Sequence, residues 1–257
     1  MNNTKILIAI LCVLLMILFA LTSIVFFKIS EDNKIPDITQ STTSTTDDKP
    51  VDVPVVDDVI LQLTEDKGLE YINKIYFVGD STTYHFFKGG IDKSHIFVPS
   101  SLTLMLTSDI NNITVGDKGL TISQAIKDAN CEIVILTIGV NGADSFTETK
   151  YKTYYKKLID AIQTDSPNTK IILQSVFPVT KEYSDKDKGI TNAGIDRLNE
   201  WVKELAFEKG IRYLDTQSIL KDENGAQYGY YGEGDGVHMN ASAYYAIIQY
   251  IRTHAIE

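Results

Sequence analysis

Hydrophobic residues follow three different patterns along this chain. Across residues 6–27, ILIAILCVLLMILFALTSIVFF, 22 consecutive positions carry no charge. That run is long enough for a helix to cross a bilayer. No clear small-x-small cleavage site follows it, so it reads as an uncleaved signal-anchor rather than a signal peptide. From 30 to 58 the pattern disappears: SEDNKIPDITQSTTSTTDDKPVDVPVVDD holds no aromatic residue and is crowded with Ser, Thr, Asp and Pro. Such a segment cannot bury enough surface to fold and reads as a flexible stalk. From Val59 onward, short apolar runs alternate with helix-period segments. The expected organisation is a transmembrane anchor (1–29), a stalk (30–58) and one folded domain (59–257).

Within the domain, the runs at 74–78 (KIYFV), 95–98 (HIFV), 132–138 (EIVILTI), 170–176 (KIILQSV) and 211–214 predict five short strands. Between them, 122–129 predicts a short helix. Tyr151, Tyr154, Tyr155, Leu158 and Ile162 recur at helical spacing behind Ser145 and Glu148, which have the spacing of a capping box. Ile195, Leu198, Val202 and Leu205 mark a further helix that stops at Gly210, and Asn240 caps a last one. Strands apolar on both faces and separated by helices predict a mainly parallel sheet covered on both sides, an α/β fold. In such sheets the binding residues gather on loops after the strands' C-terminal ends.

Composition narrows the function classes. With a formal net charge of −10, the chain offers no clustered Lys and Arg for phosphates, which argues against nucleic acid as a partner. Lys5 before the apolar run gives a positive-inside bias, so the domain is expected outside the cytoplasm. Of the two cysteines, Cys12 lies in the apolar run and Cys131 in the domain, so they cannot pair within one chain. An exported domain without a disulfide suits a Gram-positive bacterium. No His, Cys and Glu set has metal-ligand spacing, so no metal is expected.

Three polar clusters sit on the strand-end loops. Gly79-Asp80-Ser81 follows the first strand and opens a helix, where the backbone N–H points outward and the helix dipole favours a developing anion. The same residues also make an ordinary N-cap. Gly139-Val140-Asn141-Gly142 follows the central strand. It is either a turn or a source of an amide donor for an oxyanion. Asp235-Gly236-Val237-His238 precedes the last helix and supplies an imidazole with an acidic partner to orient it, as a serine nucleophile's base requires. The aromatic segment Tyr228-Gly229-Tyr230-Tyr231 just before it can stack on sugar rings or simply pack the loop.

Taken in this order, the three clusters resemble the SGNH/GDSL hydrolase family, and the resemblance extends from about Lys74 to the C-terminus. It implies a three-layer α/β/α sandwich with a flavodoxin-like sheet and acyl-ester hydrolysis or transfer without a cofactor. Carried over by position, Ser81 is the nucleophile, with Asp235 and His238 completing a triad. Asn141 and the Ser81 N–H serve the oxyanion hole. The family's further glycine for that hole has no counterpart after the second strand, where the chain reads Val98-Pro99-Ser100-Ser101-Leu102. Ser101 is the expected substitute, because a backbone N–H does the work. The expected function is an extracytoplasmic esterase acting on an acylated small molecule or carbohydrate, O-acetyl esters of wall or surface glycans above all. An O-acyltransferase using the same triad, a non-catalytic carbohydrate-binding module and a flavin-binding domain are the competing readings.

Overall fold

A computed structural model describes residues 59–98, 115 and 119–256. The expected anchor, the stalk and Ser101 lie outside the described residues. No helix among the described residues is long and apolar enough to cross a membrane.

In chain order the domain contains α1 (Gly68–Ile72), β1 (Ile75–Gly79), α2 (Ser81–Tyr84, continued by a 3₁₀ turn His85–Gly89), β2 (Ile96–Phe97), α3 (Ile122–Asp128) and β3 (Ile133–Thr137). There follow α4 (Glu148–Asp165), β4 (Lys170–Gln174), α5 (Lys181–Ser184), α6 (Asn192–Lys209), β5 (Arg212–Leu214) and α7 (Ala241–Thr253). The five strands form one sheet in the order β2-β1-β3-β4-β5, and every pair is parallel. Beside β5, Ile60 makes a parallel bridge to Tyr213, which gives that edge a partner.

β3 explains the layering. Its five residues are all buried, and successive side chains of a strand point to opposite faces. Val134 and Leu136 pack with Tyr151, Tyr155, Leu158 and Leu198 of α4 and α6. Ile133 and Ile135 pack on the other face with Tyr244, Ile247 and Ile251 of α7. Burying each such side chain contributes about 1.5–3 kcal/mol, so a helical layer on either face is the stable solution. The result is a three-layer α/β/α sandwich with the flavodoxin-like strand order. The order reverses between β1 and β3, and ligands in such sheets bind at the crevice outside the strand ends there. β1 and β3 run in register to Gly79 opposite Thr137, which places their following loops side by side.

The predicted strands all form, each with ends within two residues of those expected. One local expectation needs correction. Ser145 and Glu148 do not make a capping box: α4 begins at Glu148 with Thr147 as its N-cap, whose hydroxyl accepts from Lys150 N–H. Ser145 belongs to the preceding turn, its N–H donating to Gly142 O at 2.9 Å. The capping box occurs instead on α3, between Thr121 and Gln124.

Candidate active site

The end of β1 is shaped by a close approach. A Cβ on Gly79 would sit 2.0 Å from Thr83 Oγ1 and 2.3 Å from Thr137 O, so only glycine lets the chain turn into α2 against β3. Asp80 caps α2: its Oδ1 accepts from Thr82 N–H at 3.0 Å and from the Thr82 hydroxyl at 2.7 Å. The backbone N–H groups of Gly139 and Val140 also face this carboxylate and favour its charged form. Burial pushes the Asp80 carboxyl above its usual range, and these four donors oppose that shift. Asp80 is therefore more than a cap. It ties the loop after β1 to the loop after β3.

Ser81, half-buried, opens α2 immediately afterwards, and its Oγ lies 3.0 Å from His238 Nε2. His238 Nδ1 lies 2.6 Å from Asp235 Oδ2. A carboxylate only accepts, so Nδ1 carries the ring proton and Nε2 presents its lone pair to the Ser81 hydroxyl. The other Asp235 oxygen accepts from the N–H groups of Val237 and His238, each at 2.8 Å. Burial works to raise the Asp235 pKa, but these bonds outweigh it and hold the carboxyl below the ordinary range.

The loop itself is held from two sides. Gly236 has φ +87° and a Cβ there would meet Tyr183 Cβ at 2.7 Å, so a side chain fails on both conformation and space. Its carbonyl accepts from Thr180 N–H at 2.9 Å. On the other side, Glu233 N–H donates to His238 O at 3.0 Å and Asn240 N–H to Tyr231 O at 2.8 Å.

Asn141 stands half-buried on the loop after β3, beside the loop of Ser81. Neighbouring bonds secure that loop: Tyr151 OH donates to Ile138 O at 2.7 Å, and Thr191 Oγ1 to Asp144 Oδ1 at 2.8 Å. Ser81, His238 and Asp235 are thus in contact through side chains 157 residues apart in the Ser–His pair, with Asn141 on the adjoining loop.

Sequence reasoning overlooked a second group beside them. The His85 ring centre is 4.8 Å from that of His238, and Lys88 bridges His85 and Glu233. The available signal was spacing: four residues after Ser81 is one helical turn, hence the same face. Cys131 offers no rival nucleophile, since burial pushes its thiol up to about 12. Among the described residues, no three His, Cys, Asp or Glu side chains converge as metal ligands would.

Fold and site together describe a parallel α/β domain with serine, histidine and aspartate in hydrogen-bonded series at its topological switch point. Residues 77–246, well over half of the chain, match the model of the GDSL-like Lipase/Acylhydrolase family, and the chain belongs to that family. Among solved structures it is similar to the periplasmic domain of a lipopolysaccharide acetyltransferase from Salmonella ser. Paratyphi A, with 18% identity over 69% of this chain and 81% of that one, at a TM-score of 0.48. It is also similar to a GDSL-like lipase from Bacteroides thetaiotaomicron (16% identity, 77% and 88% covered, TM-score 0.46). A carbohydrate acetylesterase from Sinorhizobium meliloti gives 16% identity, 69% and 95% coverage and a TM-score of 0.46. No curated protein matches the chain.

Proposed function

We propose that this chain is a serine esterase that removes acyl groups, chiefly O-acetyl, from carbohydrate outside the cytoplasmic membrane. The observation that carries the reading is the hydrogen-bonded series Ser81, His238, Asp235. Ser81 Oγ attacks the ester carbonyl carbon while its proton passes to His238 Nε2. Asp235 stabilises the imidazolium and holds its orientation. The Ser81 N–H and the Asn141 amide receive the oxyanion, and the Ser101 N–H takes the third place. Collapse breaks the ester C–O bond, and the departing alcohol takes the proton from His238. Water then attacks the acyl-Ser81 carbonyl, giving its proton to the same base, and the acid leaves as Ser81 is restored. The cycle uses no cofactor.

Two features support the substrate and the location. Tyr228, Tyr230 and Tyr231 form an aromatic group with ring centres 4.4–6.1 Å apart, and Tyr230 is 64% exposed. An exposed ring on a segment whose carbonyls accept from Asn240, two residues after His238, suits stacking on a pyranose face. The uncharged run at 6–27 and the polar stretch after it suit a single anchor and stalk presenting the domain to wall or surface glycans of a Gram-positive cell.

The deciding test is hydrolysis of p-nitrophenyl acetate and of an O-acetylated glycan by the full-length chain beside Ser81→Ala. The variant should fold normally and lose nearly all activity, and a serine-directed organophosphonate should label only the wild type. Label on a different serine would refute the assignment. Adding an unacetylated sugar acceptor measures how the acyl group divides between water and sugar, and transfer to sugar would make the chain an acyltransferase.

A further inference from the structure

A second cluster of titratable groups abuts the Ser81–His238 pair and takes no part in the steps above. His85 lies one helical turn beyond Ser81, and its ring is tilted by 53° to that of His238 at 4.8 Å. Lys88 places its Nζ 3.3 Å from His85 Nδ1, 2.5 Å from the Glu233 carboxylate and 3.4 Å from Met239 O. Glu233 N–H in turn donates to His238 O at 3.0 Å. The Lys88 side chain is only 18% exposed. One largely buried cation therefore spans the turn that bears Ser81 and the loop that bears His238.

The chemistry of the partners sets the protonation of His85. An ammonium group only donates, so His85 Nδ1 must accept, and the one proton of the neutral ring sits on Nε2. A second proton would turn an Nδ1–H toward Lys88, destroying that bond and adding a positive charge beside His238. The groups facing His85 are Lys88 and His238, the acids Glu233 and Asp235, and the rings of Tyr84 and Tyr244. Lys93 lies farther out, over Tyr84 and Phe87. Burial first, then the charges of Lys88 and His238, hold the His85 pKa below the usual histidine value, while Glu233 and Asp235 pull the other way.

We propose that Lys88, with Glu233 as its counter-charge, is a positioning residue that keeps His85 neutral beside His238 and so preserves the capacity of His238 to accept the Ser81 proton. The inference rests on the proposed roles of Ser81, His238 and Asp235. A charged His85 would oppose the imidazolium formed on His238 in every turnover. The Lys88–Glu233 pair prevents this while adding little net charge of its own. It also registers the two segments against each other.

Ring-nitrogen NMR of the full-length chain, which has four histidines, tests this without needing turnover. The wild type should show His85 as the Nε2–H tautomer, titrating below the ordinary midpoint of about 6.5. Lys88→Met should raise the midpoint of His85 by about half to one pH unit. Glu233→Gln, which leaves Lys88 uncompensated, should lower the His85 midpoint by a similar amount. The double variant should return close to the wild type, and the acid limb of kcat/KM should move in the same senses. An Nδ1–H tautomer of His85 would overturn the proposal. So would a His85 midpoint that stays fixed, or that moves the same way in both single variants, as a purely mechanical clamp would give. Should Lys88→Met fail to fold, the tautomer and the Glu233→Gln shift decide alone. Failure of the broader reading would show separately, as ester hydrolysis that survives Ser81→Ala.

Discussion

Asp80→Asn isolates the bond between the two loops that carry Ser81 and Asn141. Asn is as good an N-cap as Asp, so a residue that only capped α2 would tolerate the change. Here Thr82 N–H and Thr82 Oγ1–H bond to the carboxylate, and the Gly139 and Val140 N–H groups face it from the loop after β3. An amide offers one oxygen in place of two, and its NH₂ must confront donors. With one oxygen held by both Thr82 groups, the Gly139 and Val140 N–H groups are the ones left unmatched. A buried unsatisfied donor costs about 1–3 kcal/mol, so two imply about 2–6 kcal/mol. Removing a buried charge recovers part of this, leaving about 2–4 kcal/mol. For a domain of this size that is a loss of roughly 5–15 °C in Tm, by calorimetry. The loop of Asn141 should also drift from Ser81. An oxyanion donor acts only near the transition state, so kcat for p-nitrophenyl acetate should fall while KM hardly moves. Wild-type melting and kcat in Asp80→Asn would show that the residue is a cap and nothing more.

Three further outcomes follow from the site. Asn141→Ala should lower kcat about 10²–10³-fold with little change in KM, the usual loss for one oxyanion donor; an unchanged kcat would leave Asn141 as a turn residue. Asp235 has a depressed pKa, so its contribution to stability is present above the ordinary carboxylate value of 3.8 and lost as pH falls through its lower folded value. The stability advantage of wild type over Asp235→Asn in urea titrations should therefore persist down to that range and shrink only below it, and the kcat of the variant should fall less than that of His238→Ala. Protease added to wall-stripped cells should release the domain by cutting within 30–58, and protection until the membrane is breached would refute the proposed topology.

The strands were legible because a parallel sheet buries both of their faces. EIVILTI has no polar face to offer, so it reads as a strand from composition alone. Helix stops were legible where backbone conformation selects the residue, as at Gly210 with φ +61° after α6. The start of α4 was misjudged because Ser145 and Thr147 both suit a cap. What chose between them is the turn from Gly142, which depends on where the loop after β3 is anchored.

The sequence by itself determined the elements, their parallel arrangement in layers and the three strand-end clusters. Each depends on local periodicity or on residues within one loop, and Asp235 and His238, three positions apart, are such a pair. Tertiary structure alone decided the strand order, and with it that the loops after β1 and β3 are neighbours. It also decided that Asp80 would be shared between those loops and that Ser81 would meet His238 at 3.0 Å. The Lys88 bridge over His85 to Glu233 belongs to the same category. These contacts join residues far apart in the chain, and nothing in either segment specifies the other. Closing such long loops carries an entropic cost that only the packed sheet and helices repay, so the pairings come into being with the core that holds them.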